Sequence, residues 1–216
     1  RAGVNAGNSI ASGGNYNVAV GDEAGTAINT GDENTVVGYK AGEAVTTGVR
    51  NTLIGATAGD EIVGGERNTA VGYGALHSET EGDRNTAVGV FALRTQNTST
   101  GGNVYNTGIG YGAGNAITTG VRNVIVGAQA LDAETQGSRS VAVGYATLSA
   151  QNFTTATDVY NTAVGHAAGL SVTTGTLNTL IGGLAGDALT TGFNNVAVGT
   201  SALSAEDTGR YNVAIG

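Results

Sequence analysis

The chain has 216 residues, a formal net charge of −8 and 38 Gly, but no Pro, Cys, Met or Trp. The lack of Cys excludes disulfides and thiolate sites, and the acidic balance argues against binding to nucleic acid or to an anionic membrane surface. No apolar run approaches the length of a membrane span, so we expect no membrane insertion. Without Pro, no backbone N–H donor is lost, which suits stacked strands.

Residues 1–16 precede the first copy of a repeat and are predicted to form a partial or capping coil, whereas residues 17–216 are predicted to form a repeat β-solenoid that is a fragment of a longer fibre. The motif Asn-(Thr/Val)-x-(Val/Ile)-Gly occurs twelve times. Position 0 is Ser140 in one copy and Asn in the other eleven: Asn17, Asn34, Asn51, Asn68, Asn85, Asn106, Asn123, Asn161, Asn178, Asn195 and Asn212. Position +4 is always Gly: Gly21, Gly38, Gly55, Gly72, Gly89, Gly110, Gly127, Gly144, Gly165, Gly182, Gly199 and Gly216.

The spacing of the copies predicts the architecture. Nine of the eleven intervals are 17 residues, and those from Asn85 to Asn106 and from Ser140 to Asn161 are 21. A fixed period of this kind is typical of a repeat array in which each repeat forms one coil. β-Branched residues at +1 and +3, followed by Gly, predict a strand in every coil. We therefore predict an all-β fold: a parallel β-solenoid, or β-roll, of about eleven 17-residue coils, two of them lengthened to 21.

The predicted strands are apolar on both faces, because +1 and +3 point to one side and +2 to the other. A half-exposed strand would alternate with polar residues. We therefore expect one face to fill the interior of the coil. The face that carries +2 would be covered by another chain, which favours self-association.

Position −3 is Gly in ten of the twelve copies, with Asn103 and Asp158 in the two long coils. Gly, Asn and Asp tolerate positive φ best. This position is therefore predicted to be a left-handed turn that leads into the strand.

Positions +8 and +11 are coupled. Gly at +8 is accompanied by an apolar residue at +11, as in Gly59 with Ile62, whereas Leu at +8 is accompanied by Glu or Gln, as in Leu76 with Glu79. Because protein interiors are close-packed, we interpret this as one large apolar side chain per coil, supplied from either of two positions.

The stretches RNTAVGYGAL, NTAVGVFAL and NTAVGHAAG resemble the NTAxGxxAL repeats of phage tail-fibre and related surface proteins, which often precede a chaperone domain of the endosialidase (S74) type. The motif is also similar to the SVAIGxxS repeat in the head of trimeric autotransporter adhesins, although that repeat is shorter. The resemblance covers residues 17–216 and implies a homotrimer of parallel β-rolls. It implies no catalytic or binding residue.

Few residues indicate chemistry. His77 and His166 occupy different positions of different copies, which is poor geometry for a shared metal or a catalytic dyad. Acidic pairs such as Asp60–Glu61 could bind Ca²⁺ or resemble a glycosidase pair, but solvated turns are favoured. We expect no enzyme activity, catalytic residue, metal ligand or cofactor.

Arg or Tyr precedes the motif Asn in most copies. A row of surface charges is favoured for the arginines over a site for acidic glycans, and ring stacking is favoured for the tyrosines.

The two long coils carry their additional residues between Gln96 and Tyr105 and between Gln151 and Tyr160. Insertions in a solenoid usually bulge on one face, often the binding face. The candidate receptor contacts are therefore Asn97, Thr98, Asn152 and Phe153. A tolerated surface decoration is the favoured alternative.

The leading functional hypothesis is a structural and adhesive segment of an extracellular or virion-surface fibre, most simply a phage tail fibre, with a cell-surface glycan or protein as receptor. A bacterial adhesin or extracellular filament is an alternative. A stand-alone solenoid that binds ice or glycans is another, because Thr pairs such as Thr46–Thr47 recur before position −3.

Overall fold

A computed structural model describes residues 2–10 and 13–216. Within these residues every regular element is a β-strand and there is no helix. The strands are β1 (Val18–Val20), β2 (Thr35–Val37), β3 (Thr52–Ile54), β4 (Thr69–Val71), β5 (Gly82–Asp83), β6 (Thr86–Val88), β7 (Gly102–Asn103), β8 (Thr107–Ile109), β9 (Val124–Val126), β10 (Gly137–Ser138), β11 (Val141–Val143), β12 (Thr157–Asp158), β13 (Thr162–Val164), β14 (Thr179–Ile181), β15 (Val196–Val198) and β16 (Val213–Ile215).

The chain divides into two compact units, Arg1–Asn106 and Thr107–Gly216. In the first unit β1, β2, β3, β4 and β6 pair in parallel, and Val18 lies beside Thr35, which lies beside Thr52. In the second unit β8, β9, β11 and β13 to β16 do the same. Neighbouring strands align the same motif position, so the predicted all-β parallel solenoid is confirmed. Before the first strand, Ala2 forms a parallel bridge with Val20, and the predicted boundary at residue 16 stays a prediction.

The interior of each unit contains the +2 side chains. Val36, Leu53, Ile125 and Leu180 have no exposed surface, whereas the residues on either side of them, at +1 and +3, are half-buried or exposed. The expectation that the +2 face needs another chain is therefore wrong, and burial of the opposite face by another chain stays a prediction. The coil closes around the +2 face, so the face left uncovered in one chain carries +1 and +3.

The +8 and +11 positions supply the one large apolar side chain per coil that the sequence predicts. The apolar +11 residue Ile62 and the +8 residues Leu76 and Leu131 are completely buried. A Cβ added to Gly59 would lie 2.8 Å from the Ile62 and Leu53 side chains, which leaves no room for a second large residue.

The left-handed turns do not lie at position −3, so that prediction is wrong. Positive φ occurs instead at −1, +4, +6 and +8, for example at Arg50 (60°), Gly55 (130°), Thr57 (51°) and Gly59 (54°). Gly occupies position −3 of the ordinary coils for a different reason: a Cβ on Gly48 would lie 2.6 Å from the carbonyl oxygen of Gly65 in the next coil.

The motif asparagines form a buried ladder within each unit. Asn34 Oδ1 accepts the backbone N–H of Asn51 at 2.9 Å, and Asn34 Nδ2 donates to Gly48 O at 2.8 Å. The second unit repeats this with Asn178 and Asn195 at 3.0 Å. Each amide thus satisfies backbone groups of the turn and of the next strand, which explains why Asn recurs.

Candidate functional site

The +1 and +3 side chains form a continuous surface on each unit, which we call the outer strand face. Ile54 is 37% exposed in the first unit and Ile181 is 41% exposed in the second. The face consists of Val18, Val20, Thr35, Val37, Thr52, Ile54, Thr69, Val71, Thr86 and Val88 in the first unit, and of Thr107, Ile109, Val124, Val126, Val141, Val143, Thr162, Val164, Thr179, Ile181, Val196, Val198, Val213 and Ile215 in the second. None of these residues is charged, and they repeat at the strand spacing of about 4.8 Å.

Aromatic residues at +5, and Phe91 at +6, follow the outer strand face. The rings of Tyr73 and Phe91 meet edge to face at 5.2 Å, and those of Tyr145 and His166 stack at 5.5 Å. His166 is therefore a stacking partner in this structure.

His77 lies beside two carboxylates. Its Nδ1 is 3.5 Å from Asp60 Oδ1 and 3.6 Å from Glu61 Oε1. Burial raises the pKa of Asp60, and His77 acts in the opposite direction. In the part of the chain that the structure describes, no group of three or more His, Cys, Asp or Glu side chains is arranged to hold a metal.

A buried glutamate precedes each long coil and replaces a backbone acceptor. In an ordinary coil, the N–H groups of Thr46, Thr47 and Gly48 all donate to the carbonyl oxygen of Val63 in the next coil, at 3.0–3.3 Å. In the coil before the first insertion, the equivalent N–H groups of Thr80, Glu81 and Gly82 donate to Glu79 Oε1 at 2.8–3.2 Å. This carboxyl group therefore takes the place of the neighbouring carbonyl.

The same glutamate holds the base of the insertion. Glu79 Oε1 also accepts bonds from the backbone N–H and the hydroxyl of Thr98, both at 3.0 Å. Glu79 Oε2 accepts from Gln96 Nε2 at 2.8 Å, and Gln96 Oε1 accepts from Asn106 Nδ2 at 2.8 Å. Glu79, Gln96 and Asn106 are all completely buried.

The second unit contains the same network. Glu134 Oε1 accepts from the N–H of Gly137 at 2.7 Å and of Phe153 at 3.0 Å. Gln151 Nε2 donates to Glu134 Oε2, and Asn161 Nδ2 donates to Gln151 Oε1, both at 2.8 Å. The sequence shows Glu at +11 before each insertion and Gln at +11 within it, but their polarity alone does not indicate burial.

The four candidate receptor contacts lie at the bases of the insertions. Asn97 Oδ1 accepts the Thr80 hydroxyl at 3.0 Å, and Thr98 is bound to Glu79. Phe153 is only 9% exposed, and Asn152 is the one exposed residue of the four. Their role as contacts stays a prediction.

The exposed part of each insertion lies further along, next to an Arg–Tyr pair. Residues 99–103 and 154–156 are exposed. The Arg84 guanidinium lies 5.7 Å from the ring centre of Tyr105, which is 45% exposed, and Arg139 lies 5.5 Å from that of Tyr160, which is 50% exposed. Asp83 and Asp158 are ion-pair partners of these arginines.

Comparison with models of known protein families, with curated proteins and with solved structures finds no match to this chain. Among residues 2–10 and 13–216 there is no helix long and apolar enough to span a membrane. The fold and surfaces define the class of protein. It is a repeat β-solenoid with an uncharged outer strand face and two insertions whose bases are hydrogen-bonded to buried glutamates.

Proposed function

We propose that this chain is a rigid structural segment of an extracellular or virion-surface fibre that assembles as a homotrimer through the outer strand face. The observation that carries the proposal is the row of exposed Val and Ile at +3, such as Ile54, Ile109 and Ile181. A row of exposed apolar side chains within an uncharged surface of this kind marks an interaction site.

Another copy of this chain is the partner that fits the face best. It presents the same side chains at the same strand spacing, so that one contact is repeated at every coil without loss of register. Charge supports the same choice. Each chain carries a net charge of −8, and an uncharged face allows such chains to meet with the least repulsion.

In a fibre of this kind the coils supply length and rigidity. Each insertion is displayed in three copies, one from each chain of the trimer. Weak contacts with a cell-surface receptor would then act together, which raises the apparent affinity. The proposal assigns the chain a mechanical and adhesive role with no catalysis. A phage tail fibre is the leading source, and a bacterial adhesin or filament is the alternative.

A stand-alone binding solenoid is the second candidate. Thr35, Thr52, Thr69 and Thr86 align along the outer strand face of the first unit. A regular array of exposed hydroxyl and methyl groups could face ice instead of protein. This candidate requires a monomer with thermal hysteresis.

Matched substitutions test the proposed assembly. Ile54→Lys with Ile181→Lys places a charge on the outer strand face of each unit. The control, Val63→Lys with Leu170→Lys, changes residues outside that face that are each 37% exposed. Sedimentation velocity is expected to show a monomer for the first pair and a trimer for the control. The same mass for both pairs contradicts assembly through this face.

A further inference from the structure

We propose that each long coil carries a binding site for a neutral glycan, in which one pyranose ring stacks on Tyr105 or Tyr160 and bonds to the neighbouring arginine and insertion. This inference rests on the proposed fibre function and gives the receptor its chemical class.

The first support is that the insertions are held rigidly at their bases. Glu79 binds both the N–H and the hydroxyl of Thr98, and Glu134 binds the N–H of Phe153. Short strands continue this order, because β5 pairs with β7 and β10 pairs with β12. A surface ordered before binding loses less conformational entropy when a ligand arrives.

The second support is the side-chain chemistry beside each insertion. A half-exposed tyrosine ring offers an apolar surface to the C–H face of a sugar, and its hydroxyl remains available for hydrogen bonding. Arg84 and Arg139 lie within 5.7 Å of these rings and provide N–H donors for sugar hydroxyls. Asn103 and Asp158 are exposed, each two residues before its tyrosine, and provide acceptors.

The third support is repetition. Each unit contains one buried glutamate, one insertion and one Arg–Tyr pair in the same order. The tyrosines at the same motif position elsewhere, Tyr16 and Tyr211, are 86% and 71% exposed and have no 21-residue coil before them. The Tyr211 ring meets that of Phe193 edge to face at 5.8 Å, and the two tyrosines provide an internal control for a tyrosine without an insertion.

Charge selects a neutral ligand over an acidic one. Arg84 faces Asp83 at 4.0 Å, and Arg139 is paired with Asp158. Each site thus has its positive charge compensated within a chain of net charge −8. An acidic sugar would meet repulsion, whereas hydroxyl groups can bind both members of each ion pair.

Saturation-transfer NMR on the full chain tests this inference. The probes are the methyl glycosides of glucose, galactose, mannose and N-acetylglucosamine, with N-acetylneuraminic acid as the acidic probe. At least one neutral glycoside is expected to receive saturation. Its affinity is expected to fall about tenfold or more in Tyr105→Ala with Tyr160→Ala, and to stay unchanged in Tyr16→Ala with Tyr211→Ala.

Three results overturn the inference: no transfer to any neutral glycoside, transfer only to N-acetylneuraminic acid, or equal loss in both tyrosine pairs. The mass of the same samples in solution separates this failure from a failure of the fibre proposal. A trimer without glycan binding removes only the glycan site, whereas a monomer removes the assembly on which it rests.

Discussion

Gln96 Nε2 donates a 2.8 Å hydrogen bond to Glu79 Oε2, and both side chains are completely buried. Gln96 in turn accepts from Asn106 Nδ2, so that every donor in this series points toward Glu79. Only a group that accepts at both of its oxygens can end such a series, which explains why the first member is Glu rather than Gln.

The donor direction of this series of hydrogen bonds can be tested by Glu79→Gln. The new amide must place its NH₂ group against either the Gln96 NH₂ or the backbone donors, which leaves a buried donor unpaired. We expect the free energy of unfolding to fall by about 1–3 kcal/mol in denaturant titrations. Glu81→Gln is the control, because that side chain is half-buried, and it is expected to match the wild type.

A swap within the series gives a sharper test. In the double variant Glu79→Gln with Gln96→Glu, the new amide at position 79 can accept from the backbone and donate to the new carboxylate at position 96. That carboxylate can still accept from Asn106. The double variant is expected to recover most of the stability lost in the single one, as a favourable coupling energy in a double-mutant cycle. Additive losses would contradict the inferred donor direction.

Interior volume predicts the outcome of Gly59→Leu. The new side chain would compete with Ile62 and Leu53, which already lie 2.8 Å from a Cβ at this position. We expect a loss of about 1–3 kcal/mol in the free energy of unfolding from overpacking. Gly112→Leu is the matched control, because Gly112 has a similar positive φ of 62° and a Cβ there meets no atom within 4 Å. Equal melting temperatures for the two variants would refute the interpretation that each coil has room for only one large apolar side chain.

The period-17 pattern is enough to predict the strands, their parallel register and the coupled interior positions. It does not reveal which strand face is inside, because Ala, Val and Leu at +2 and Val and Ile at +3 are both apolar. The prediction for position −3 fails because Gly serves two purposes: it permits positive φ, and it leaves room for a neighbouring backbone. The burial of Glu79 is not predictable from the sequence, since its partners come from two segments, residues 80–82 and 96–98, that only the fold brings together.

Burial predicts a pH effect at Asp132. Desolvation raises the pKa of this carboxyl group above its usual 3.8, against a smaller opposing effect of its own backbone hydrogen bond. The charged form is therefore disfavoured in the folded chain, and this cost grows as pH rises from below 3.8 through the folded pKa. Asp132→Asn is expected to raise the melting temperature relative to the wild type at about pH 7 but not at about pH 3. The exposed Asp207→Asn is the control, and a difference that does not change with pH would contradict this cause.

The solution mass of the purified chain, measured by light scattering over a range of concentrations, tests the proposed assembly most directly. A mass three times that of the 21.2 kDa chain is expected, because the outer strand face is uncovered in a single copy. A monomer at all concentrations would show that this face is stable in water, and would favour the stand-alone binding solenoid over the trimeric fibre.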